Sequence, residues 1–253
     1  DLVYTALKVG FRAIDTANQR KHYFEAGVGE GLHRFLNEES EQRSNVFLQT
    51  KFTYSRGQDH RKPYDESHSF SQQVASSFQS SLEHLRTDYI DSYVLHGPYN
   101  VLVGSEDLET WSAMEKLVTE KKVRALGLSN VGPQQLLAFY EQAKIKPTFV
   151  QNRCFARLGW DREIRNICQT YGLHYQGFSL LTANQYELQN PEIVNLAKKY
   201  NRTIPQIIFK FSQQVGIICL TGTTQMKHMQ DNLSIDDFTL NSSELRLIEN
   251  VSF

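Results

Sequence analysis

The sequence of 253 residues has no uninterrupted apolar stretch near the roughly 20 residues that a membrane-spanning helix requires. We therefore expect no membrane association. It also has no excess of either charge, since 27 Lys and Arg oppose 28 Asp and Glu. Nucleic-acid binding depends on basic residues that neutralise phosphates, so a net charge of −1 excludes that class of partner. The first residues also lack the basic flank and apolar core of a signal peptide.

Cysteine is scarce, and Cys154, Cys168 and Cys219 are isolated in the sequence. An odd and unclustered set is neither a disulfide framework nor a metal motif, so we expect a cytoplasmic protein without a metal. A further absence concerns glycine: no G-x-G-x-x-G follows any apolar segment. This argues against an open doubly wound sheet with a phosphate loop after its first strand.

Short apolar segments alternate with amphipathic ones from the first residue to the last, with no linker between domains. We expect one domain over residues 1–253, with a parallel sheet, because parallel neighbours need crossover helices. A helix that ends at Gly10 opens the chain. Seven segments are predicted strands: Arg12–Asp15, Val46–Lys51, Ile90–His96, Val123–Ser129, Phe149–Gln151, His174–Ser179 and Ile217–Thr221. The predicted helices are Glu25–Phe35, Phe70–Leu85, Leu108–Lys121, Gln134–Ala143, Arg162–Thr170, Glu192–Tyr200, Gln206–Gln214 and Ser242–Asn250.

Nearly every predicted strand ends at a side chain capable of chemistry. In a (β/α)8 barrel all carboxyl ends of the strands converge on one face, where such enzymes build their active sites. The fold class that we predict is therefore α/β, a TIM barrel. The polar strand ends are Asp15, Lys51, His96, Ser129 with Asn130, Gln151, Ser179 and Thr221.

The first three of these ends, with a tyrosine on the loop after Asp15, form a set that can protonate a carbonyl oxygen. A phenol with a pKa of about 10 is a poor acid near neutral pH, but an adjacent lysine cation favours its ionised form. A carboxylate that holds this lysine would fix its position, and His96 could orient the carbonyl. A single aspartate or lysine at a strand end is more commonly a surface or ion-paired residue, and a single tyrosine more commonly packs in the structure, than either serves in catalysis.

Several segments together resemble the aldo-keto reductase family. Gly10-Phe11-Arg12-Ala13-Ile14-Asp15-Thr16-Ala17 resembles the signature around its catalytic aspartate, and Thr50-Lys51 the end of its lysine strand. Asp88-Tyr89-Ile90-Asp91, followed by Leu95-His96-Gly97-Pro98, resembles the segment of its histidine. Gly127-Leu128-Ser129-Asn130, Val150-Gln151 and Gly177-Phe178-Ser179-Leu180-Leu181 match its nicotinamide-contacting segments, and the similarity runs from residue 1 to about Asn232.

The resemblance implies an oxidoreductase that transfers a hydride from NADPH, or from NADH, to an aldehyde or ketone, and that acts as a monomer on a small carbonyl substrate. It implies that the catalytic residues are Asp15, Tyr23, Lys51 and His96. The implied cofactor-binding residues are Ser129, Asn130, Gln151, Phe178, Ser179, Leu180, Leu181, Thr221, Gly222, Thr223, His228, Asp231 and Asn232.

The chain departs from the family pattern at the tyrosine, which the family usually places five residues after the aspartate, where this chain has Arg20. Tyr23 is the tyrosine within that loop, while Tyr54 and Tyr64 are alternatives from the next one. The usual residues that bind the 2′-phosphate are also replaced, by Thr221-Gly222-Thr223 and His228, which leaves the choice between NADPH and NADH open. The polar segment Ser55–Ser69 could act as a lid.

A second hypothesis is a catalytically silent relative that still binds the dinucleotide and serves as a sensor or interaction partner. A third follows from the first predicted strand, which already ends at the aspartate that the family carries on its second strand. On this reading the opening strand is absent from the chain. We then expect either something else to seal the barrel or a fragment that works only when bound to a partner.

Overall fold

The computed structural model describes residues 1–252, in which the chain forms seven strands and ten α-helices. The strands are β1 (Ala13–Asp15), β2 (Phe47–Phe52), β3 (Ile90–Leu95), β4 (Val123–Ser129), β5 (Phe149–Arg153), β6 (His174–Phe178) and β7 (Ile217–Leu220). The helices are α1 (Leu2–Val9), α2 (Glu25–Glu38), α3 (Phe70–Leu85), α4 (Ser105–Thr119), α5 (Pro133–Gln142), α6 (Arg162–Tyr171), α7 (Pro191–Tyr200), α8 (Ile204–Gln214), α9 (Met226–Leu233) and α10 (Ser242–Glu249). The described residues form two compact units, 1–149 and 150–252.

In the first unit, β1 to β4 pair in chain order, and every pair is parallel. Every residue of β3 is buried, as is usual for a parallel strand covered on both faces. Asp91 on this strand accepts a hydrogen bond from the Leu48 amide and forms ion pairs with Arg43 and Arg124, each at 2.9 Å. These contacts tie β3 to the start of β2 and to β4.

The helix α3 packs between its neighbours α2 and α4, and its ends are well defined. Ser69 caps the amino end in a capping box with Gln72, and the helix ends at Arg86, which adopts the left-handed conformation. The contact between α2 and α3 depends on Gly29 of α2, since a Cβ at this position would lie 2.1 Å from the carbonyl oxygen of His84 in α3. This close approach brings α2 against the end of α3.

In the second unit, β6 and β7 pair in parallel. Trp160 is fully buried, and its indole Nε1 donates to the carbonyl oxygen of Ile248 at 2.9 Å, which ties α10 to the loop before α6. The hydroxyl of Thr203 caps α8 by accepting from the Gln206 amide at 3.3 Å, with Pro205 in the first turn.

All seven predicted strands and the predicted helices are present, with ends that differ by a few residues. His96, Ser179 and Thr221 follow their strands instead of ending them. Gly132 is the N-cap residue of α5, and Pro133 lies in the first turn of this helix. No helix within residues 1–252 combines the length and the apolar character needed to cross a membrane.

The segment from residue 55 to residue 69 begins with a short 3-10 helix, Ser55–Gly57. Two of its side chains, Gln58 and Tyr64, are buried. Gln58 Nε2 donates to the Asn18 carbonyl at 2.7 Å, and the Tyr64 hydroxyl donates to the Thr53 carbonyl at 2.5 Å. The segment is therefore anchored to the protein at two points, and its role as a lid stays a prediction.

The close approach at Gly29 can be tested by substitution with alanine. We expect Gly29→Ala to lower the free energy of unfolding by about 3 kcal/mol or more, because backbone atoms of α3 occupy the space of the new methyl group. Gly27→Ala on the same helix is the control: its Cβ would meet only the ring of Phe24, which is 54% exposed, so that a side chain and not the backbone has to shift. We expect this variant to be neutral or more stable by about 0.5 kcal/mol, since alanine favours a helix. Urea denaturation measures both, and equal losses would contradict this account.

Candidate active site

Asp15, Lys51 and His96, at or just after the ends of β1, β2 and β3, lie on one face of the sheet because of the register between the strands. Asp15 pairs with Gln49, and Lys51 pairs with Val94, while His96 lies two residues beyond Val94. Successive side chains of a strand point to opposite faces, so residues two apart share a face. Lys51 therefore lies two residues beyond the partner of Asp15, and His96 lies two residues beyond the partner of Lys51. All three side chains point to the same face and come together there.

The centre of this face is an ion pair between a buried lysine and an aspartate. Lys51 has no exposed surface, and its Nζ donates to Asp15 Oδ2 at 2.7 Å and to the Thr16 carbonyl at 2.8 Å. The second carboxylate oxygen, Asp15 Oδ1, accepts from Gln49 Nε2 at 2.7 Å. Burial lowers the pKa of Lys51, and the carboxylate of Asp15 opposes this change by favouring the charged ammonium.

Tyr23 lies beside this pair with its aromatic ring toward the lysine. The Lys51 ammonium is 5.2 Å from the centre of the Tyr23 ring, and the ring of His96 meets it edge to face at 5.8 Å. Burial raises the pKa of Tyr23 to about 12, and the negative charge of Asp15 adds to the effect. The expectation that the lysine lowers the pKa of this phenol is therefore wrong for this geometry, and Tyr23 is a neutral hydroxyl near pH 7.

The alternative tyrosines are bound elsewhere. The Tyr54 hydroxyl contacts Thr110 Oγ1 at 2.9 Å and Asp107 Oδ1 at 3.1 Å, while that of Tyr64 donates to a backbone carbonyl. Burial raises the pKa of both phenols above its ordinary value. Of the three tyrosines, Tyr23 is the one that contacts both the lysine and the histidine.

His96 is held at its backbone and at its ring. Its amide donates to the Phe52 carbonyl at 2.9 Å, its own carbonyl accepts from Asn130 Nδ2 at 2.8 Å, and its ring Nδ1 lies 2.7 Å from the hydroxyl oxygen of Thr53. Burial lowers the pKa of His96 to about 3, and the positive charge of Lys51 acts in the same direction. The imidazole is therefore neutral throughout the physiological pH range.

Ser129 and Asn130 follow on the next strand, and both lie near His96. Ser129 is buried and its Oγ accepts from Asn130 Nδ2 at 3.1 Å. Asn130 has a positive φ of 55°, a conformation that asparagine tolerates better than most residues. The amide nitrogen of Asn130 thus binds the His96 backbone and the Ser129 hydroxyl, so this residue also supports the histidine.

In the second unit, the predicted residues of β5 and β6 have different surroundings. Gln151 is buried, and its Nε2 donates to Gln176 Oε1 at 2.9 Å. Phe178 is half-buried, with the guanidinium of Arg153 5.6 Å from its ring centre. Ser179 has a positive φ of 58°, which turns the chain after β6. Leu180 is buried in the core, whereas Leu181 is half-buried.

The remaining predicted residues form a group at the loop after β7 and on α9. Thr221, Gly222 and His228 are exposed, while Thr223, Asp231 and Asn232 are half-buried. Asn232 Nδ2 donates to Thr221 Oγ1 at 3.5 Å, and His228 Nδ1 lies 3.4 Å from Thr223 Oγ1. Gln225 is the N-cap residue of α9, but its side chain accepts no hydrogen bond from the first backbone amides of this helix.

Three neighbours of the site were not predicted from the sequence. Gln49 could have been found, because it lies two residues before Lys51 on the same face. Thr53 is on the loop after β2, where no such period applies. Glu25 is buried and binds Thr50 Oγ1 at 2.5 Å, Ser81 Oγ at 2.9 Å and His84 Nδ1 at 3.2 Å.

Within residues 1–252, no group of His, Cys, Asp and Glu is arranged to hold a metal.

Two histidines of the first unit, His84 and His96, have pKa values displaced in opposite directions, which proton NMR can measure. We expect the ring resonances of His96 to stay unchanged between pH 8 and pH 5, since burial and Lys51 hold its pKa near 3. Those of His84 are expected to titrate above the usual pKa of about 6.5, because its hydrogen bond to Glu25 raises the pKa. Substitution of each histidine assigns its signals. A His96 signal that titrates near pH 6.5 would contradict the buried environment.

The chain is similar to known proteins over nearly its whole length. The family model described as "Aldo/keto reductase family" matches residues 1–252. Glyoxal reductase of Bacillus subtilis is 30% identical over 248 residues, which cover 98% of this chain and 81% of that protein.

Two solved structures show the fold. That of an aldo/keto reductase from Brucella melitensis is 27% identical, with a TM-score of 0.81, and covers 99% of this chain and 88% of its own. That of a Bombyx mori aldo-keto reductase in complex with NADP has a TM-score of 0.82 at 24% identity, and covers 99% of this chain and 81% of its own. The predicted TIM-barrel class is thereby confirmed, and the chain is an oxidoreductase that belongs to the aldo/keto reductase family.

Proposed function

We propose that this protein reduces an aldehyde or ketone to an alcohol with a nicotinamide dinucleotide, and that Tyr23 donates the proton. The observation that carries the proposal is the meeting of four groups in the first unit. The Lys51 ammonium is 2.7 Å from Asp15 and 5.2 Å from the Tyr23 ring, which in turn contacts the ring of His96. The family membership supports the reaction type.

Tyr23 suits the role of a proton donor because it is protonated and held next to a cation. With a pKa raised to about 12, its hydroxyl keeps its proton at neutral pH. An alkoxide that forms from a carbonyl is a stronger base than a phenolate, so the transfer is downhill once negative charge reaches the oxygen. The Lys51 ammonium then stabilises the phenolate that remains.

His96 and Lys51 act on the same developing charge without changing their protonation. A neutral imidazole can donate one hydrogen bond to a carbonyl oxygen, and fixed donors aimed at a developing negative charge stabilise it. Asp15 and Gln49 hold the ammonium in place, since both carboxylate oxygens are engaged. The site therefore needs no rearrangement of its charges when the reaction begins.

The residues present fit a nicotinamide dinucleotide, which supplies the hydride when it is bound. In the first unit, Ser129 and Asn130 offer hydroxyl and amide groups suited to a carboxamide. In the second unit, Gln151 offers a further amide group and Phe178 an aromatic face. The exposed Thr221 and Gly222, the half-buried Thr223 and the first amides of α9 suit a phosphate. Ser179 and Leu181 are proposed to line the pyrophosphate path, with Leu180 contributing backbone only because its side chain is buried.

We further propose that the cofactor is NADPH, with weak discrimination against NADH. The Bombyx mori relative is a complex with NADP. In this chain two basic side chains lie near the predicted site: Lys227 is paired with Asp231 at 3.1 Å, and His228 is exposed and lies next to Thr223. Neither offers the fixed planar fork with which arginine binds phosphate.

The compartment that we propose is the cytoplasm. Cys154, Cys168 and Cys219 are all free thiols, and burial raises the pKa of each. Unreactive thiols of this kind are typical of a reducing compartment.

The role of Tyr23 is tested by removing its hydroxyl. We expect Tyr23→Phe to lower kcat about 100- to 10,000-fold, the usual contribution of a general acid, without weakening the binding of NADPH. Tyr54→Phe is the matched control, since its hydroxyl binds Asp107 and Thr110. Oxidation of NADPH with an activated aromatic aldehyde gives kcat, and cofactor fluorescence gives the dissociation constant. Undiminished turnover of Tyr23→Phe would exclude Tyr23 as the donor. Binding by the unmodified protein without any turnover would favour the catalytically silent relative.

The weak discrimination between NADPH and NADH is tested by substitution of His228. We expect the unmodified chain to bind NADPH and NADH with dissociation constants within about tenfold of each other. His228→Arg should strengthen the binding of NADPH about five- to tenfold and leave that of NADH unchanged, because arginine adds a bidentate phosphate contact. His174→Arg, at an exposed position on β6, is the control. A strong preference for NADPH in the unmodified chain would show that other residues bind the 2′-phosphate.

A further inference from the structure

We propose that Thr53 is a positioning residue that sets the tautomer of His96, so that Nε2 carries the proton. The inference rests on the proposed carbonyl reduction only for its kinetic consequence. The observation behind it is the contact of 2.7 Å between Thr53 Oγ1 and His96 Nδ1. Which atom donates across this contact decides which ring nitrogen has a hydrogen.

The surroundings of Thr53 determine the direction of the hydrogen bond. Thr53 is only 5% exposed, and within the described chain its hydroxyl makes one hydrogen bond, to His96. If Nδ1 carried the proton, the hydroxyl could only accept, and its own hydrogen would be buried without an acceptor. Leaving a buried donor unpaired costs about 1–3 kcal/mol. A hydroxyl that donates to Nδ1 avoids this cost, and the proton of the neutral ring then lies on Nε2.

The conformation of Thr53 is fixed on several sides. Its carbonyl oxygen accepts from the Tyr64 hydroxyl at 2.5 Å and from Gln58 Nε2 at 3.3 Å. Its methyl group packs against Gly57, so closely that a Cβ at Gly57 would lie 2.7 Å from Thr53 Cγ2. The segment after β2 therefore holds the side chain in one rotamer, with the hydroxyl directed at the ring of His96.

The ring itself would otherwise be free to exchange between its two neutral forms. The backbone of His96 is fixed by Phe52 and Asn130, but Thr53 is the side chain that contacts a ring nitrogen by a hydrogen bond in residues 1–252. A neutral ring with its proton on Nδ1 presents a lone pair at Nε2, which repels a carbonyl oxygen. Thr53 thus keeps Nε2 in the form that can donate to the substrate.

Two substitutions separate the hydroxyl from the shape of the side chain. Thr53→Val replaces the hydroxyl with a methyl group, and Thr53→Ser retains the hydroxyl. We expect Thr53→Val to lower kcat/KM about tenfold, mainly through kcat, with the binding of NADPH unchanged. We expect Thr53→Ser to keep kcat/KM within about threefold of the unmodified protein. Thr110→Val is the control, because Thr110 is also a buried threonine, and its hydroxyl contacts Tyr54 and not His96.

The tautomer is read directly by nitrogen NMR of the protein with labelled histidine, with His96→Asn used to assign the signal. We expect the unmodified protein and Thr53→Ser to show His96 with Nε2 protonated and Nδ1 free of a proton. Thr53→Val is expected to show a mixture of the two forms, and Thr110→Val to match the unmodified protein.

Protonation of Nδ1 in the unmodified protein would overturn the proposal. So would an unchanged tautomer in Thr53→Val, or equal loss of activity in Thr53→Val and Thr53→Ser, since both results would assign Thr53 a merely structural role. The NMR measurement needs no turnover. If the expected tautomer were found in a protein that reduces no carbonyl compound, the proposed function would fail while the role of Thr53 toward His96 would stand.

Discussion

The buried ion pair between Lys51 and Asp15 is the interaction on which the rest of the site depends. An ammonium without exposed surface is stable only if its charge is matched and its hydrogens find acceptors. Asp15 and the Thr16 carbonyl provide these at 2.7 and 2.8 Å. Both acceptors come from β1 or directly after it, so β1 and β2 must pair in their observed register. A slip of one residue would turn Lys51 to the opposite face of the strand and leave it without a partner.

Stability alone is a weak reason to keep such a pair. Removing two charges from water costs several kcal/mol per ion, and apolar replacements of similar volume are often equally stable or more so. The pair at Lys51 is also reinforced beyond the minimum, because Gln49 donates to the second oxygen of Asp15. A cation fixed this firmly, beside one phenol and one imidazole, is better explained by chemistry that needs a positive charge in one place.

The strand-borne part of this arrangement could be predicted from the sequence, and the loop-borne part could not. Asp15, Lys51 and His96 lie at strand ends, where the two-residue period and the parallel register determine the face of each side chain. Tyr23 belongs to an irregular loop, so the sequence indicated its presence but gave no orientation for its ring, and the expected lowering of its pKa was wrong. Thr53 follows β2 in another loop, and its contact with His96 depends on Gly57 and Tyr64. Such tertiary contacts leave no periodic signal.

One electrostatic condition explains why the two hydrogen-bond donors of the site, Tyr23 and His96, are both neutral. Lys51 and Asp15 nearly cancel each other, so a second charge on Tyr23 or His96 would be buried without a partner. Burial accordingly raises the pKa of the phenol and lowers that of the imidazole, and both groups remain uncharged near pH 7. Negative charge on a substrate oxygen is then the first uncompensated charge to appear. It would draw the hydroxyl proton of Tyr23 and a hydrogen bond from His96, while the ammonium of Lys51 stabilises the anion that results. The burial that keeps the phenol protonated and the imidazole neutral in the resting protein thus makes the set responsive to charge that develops during the reaction.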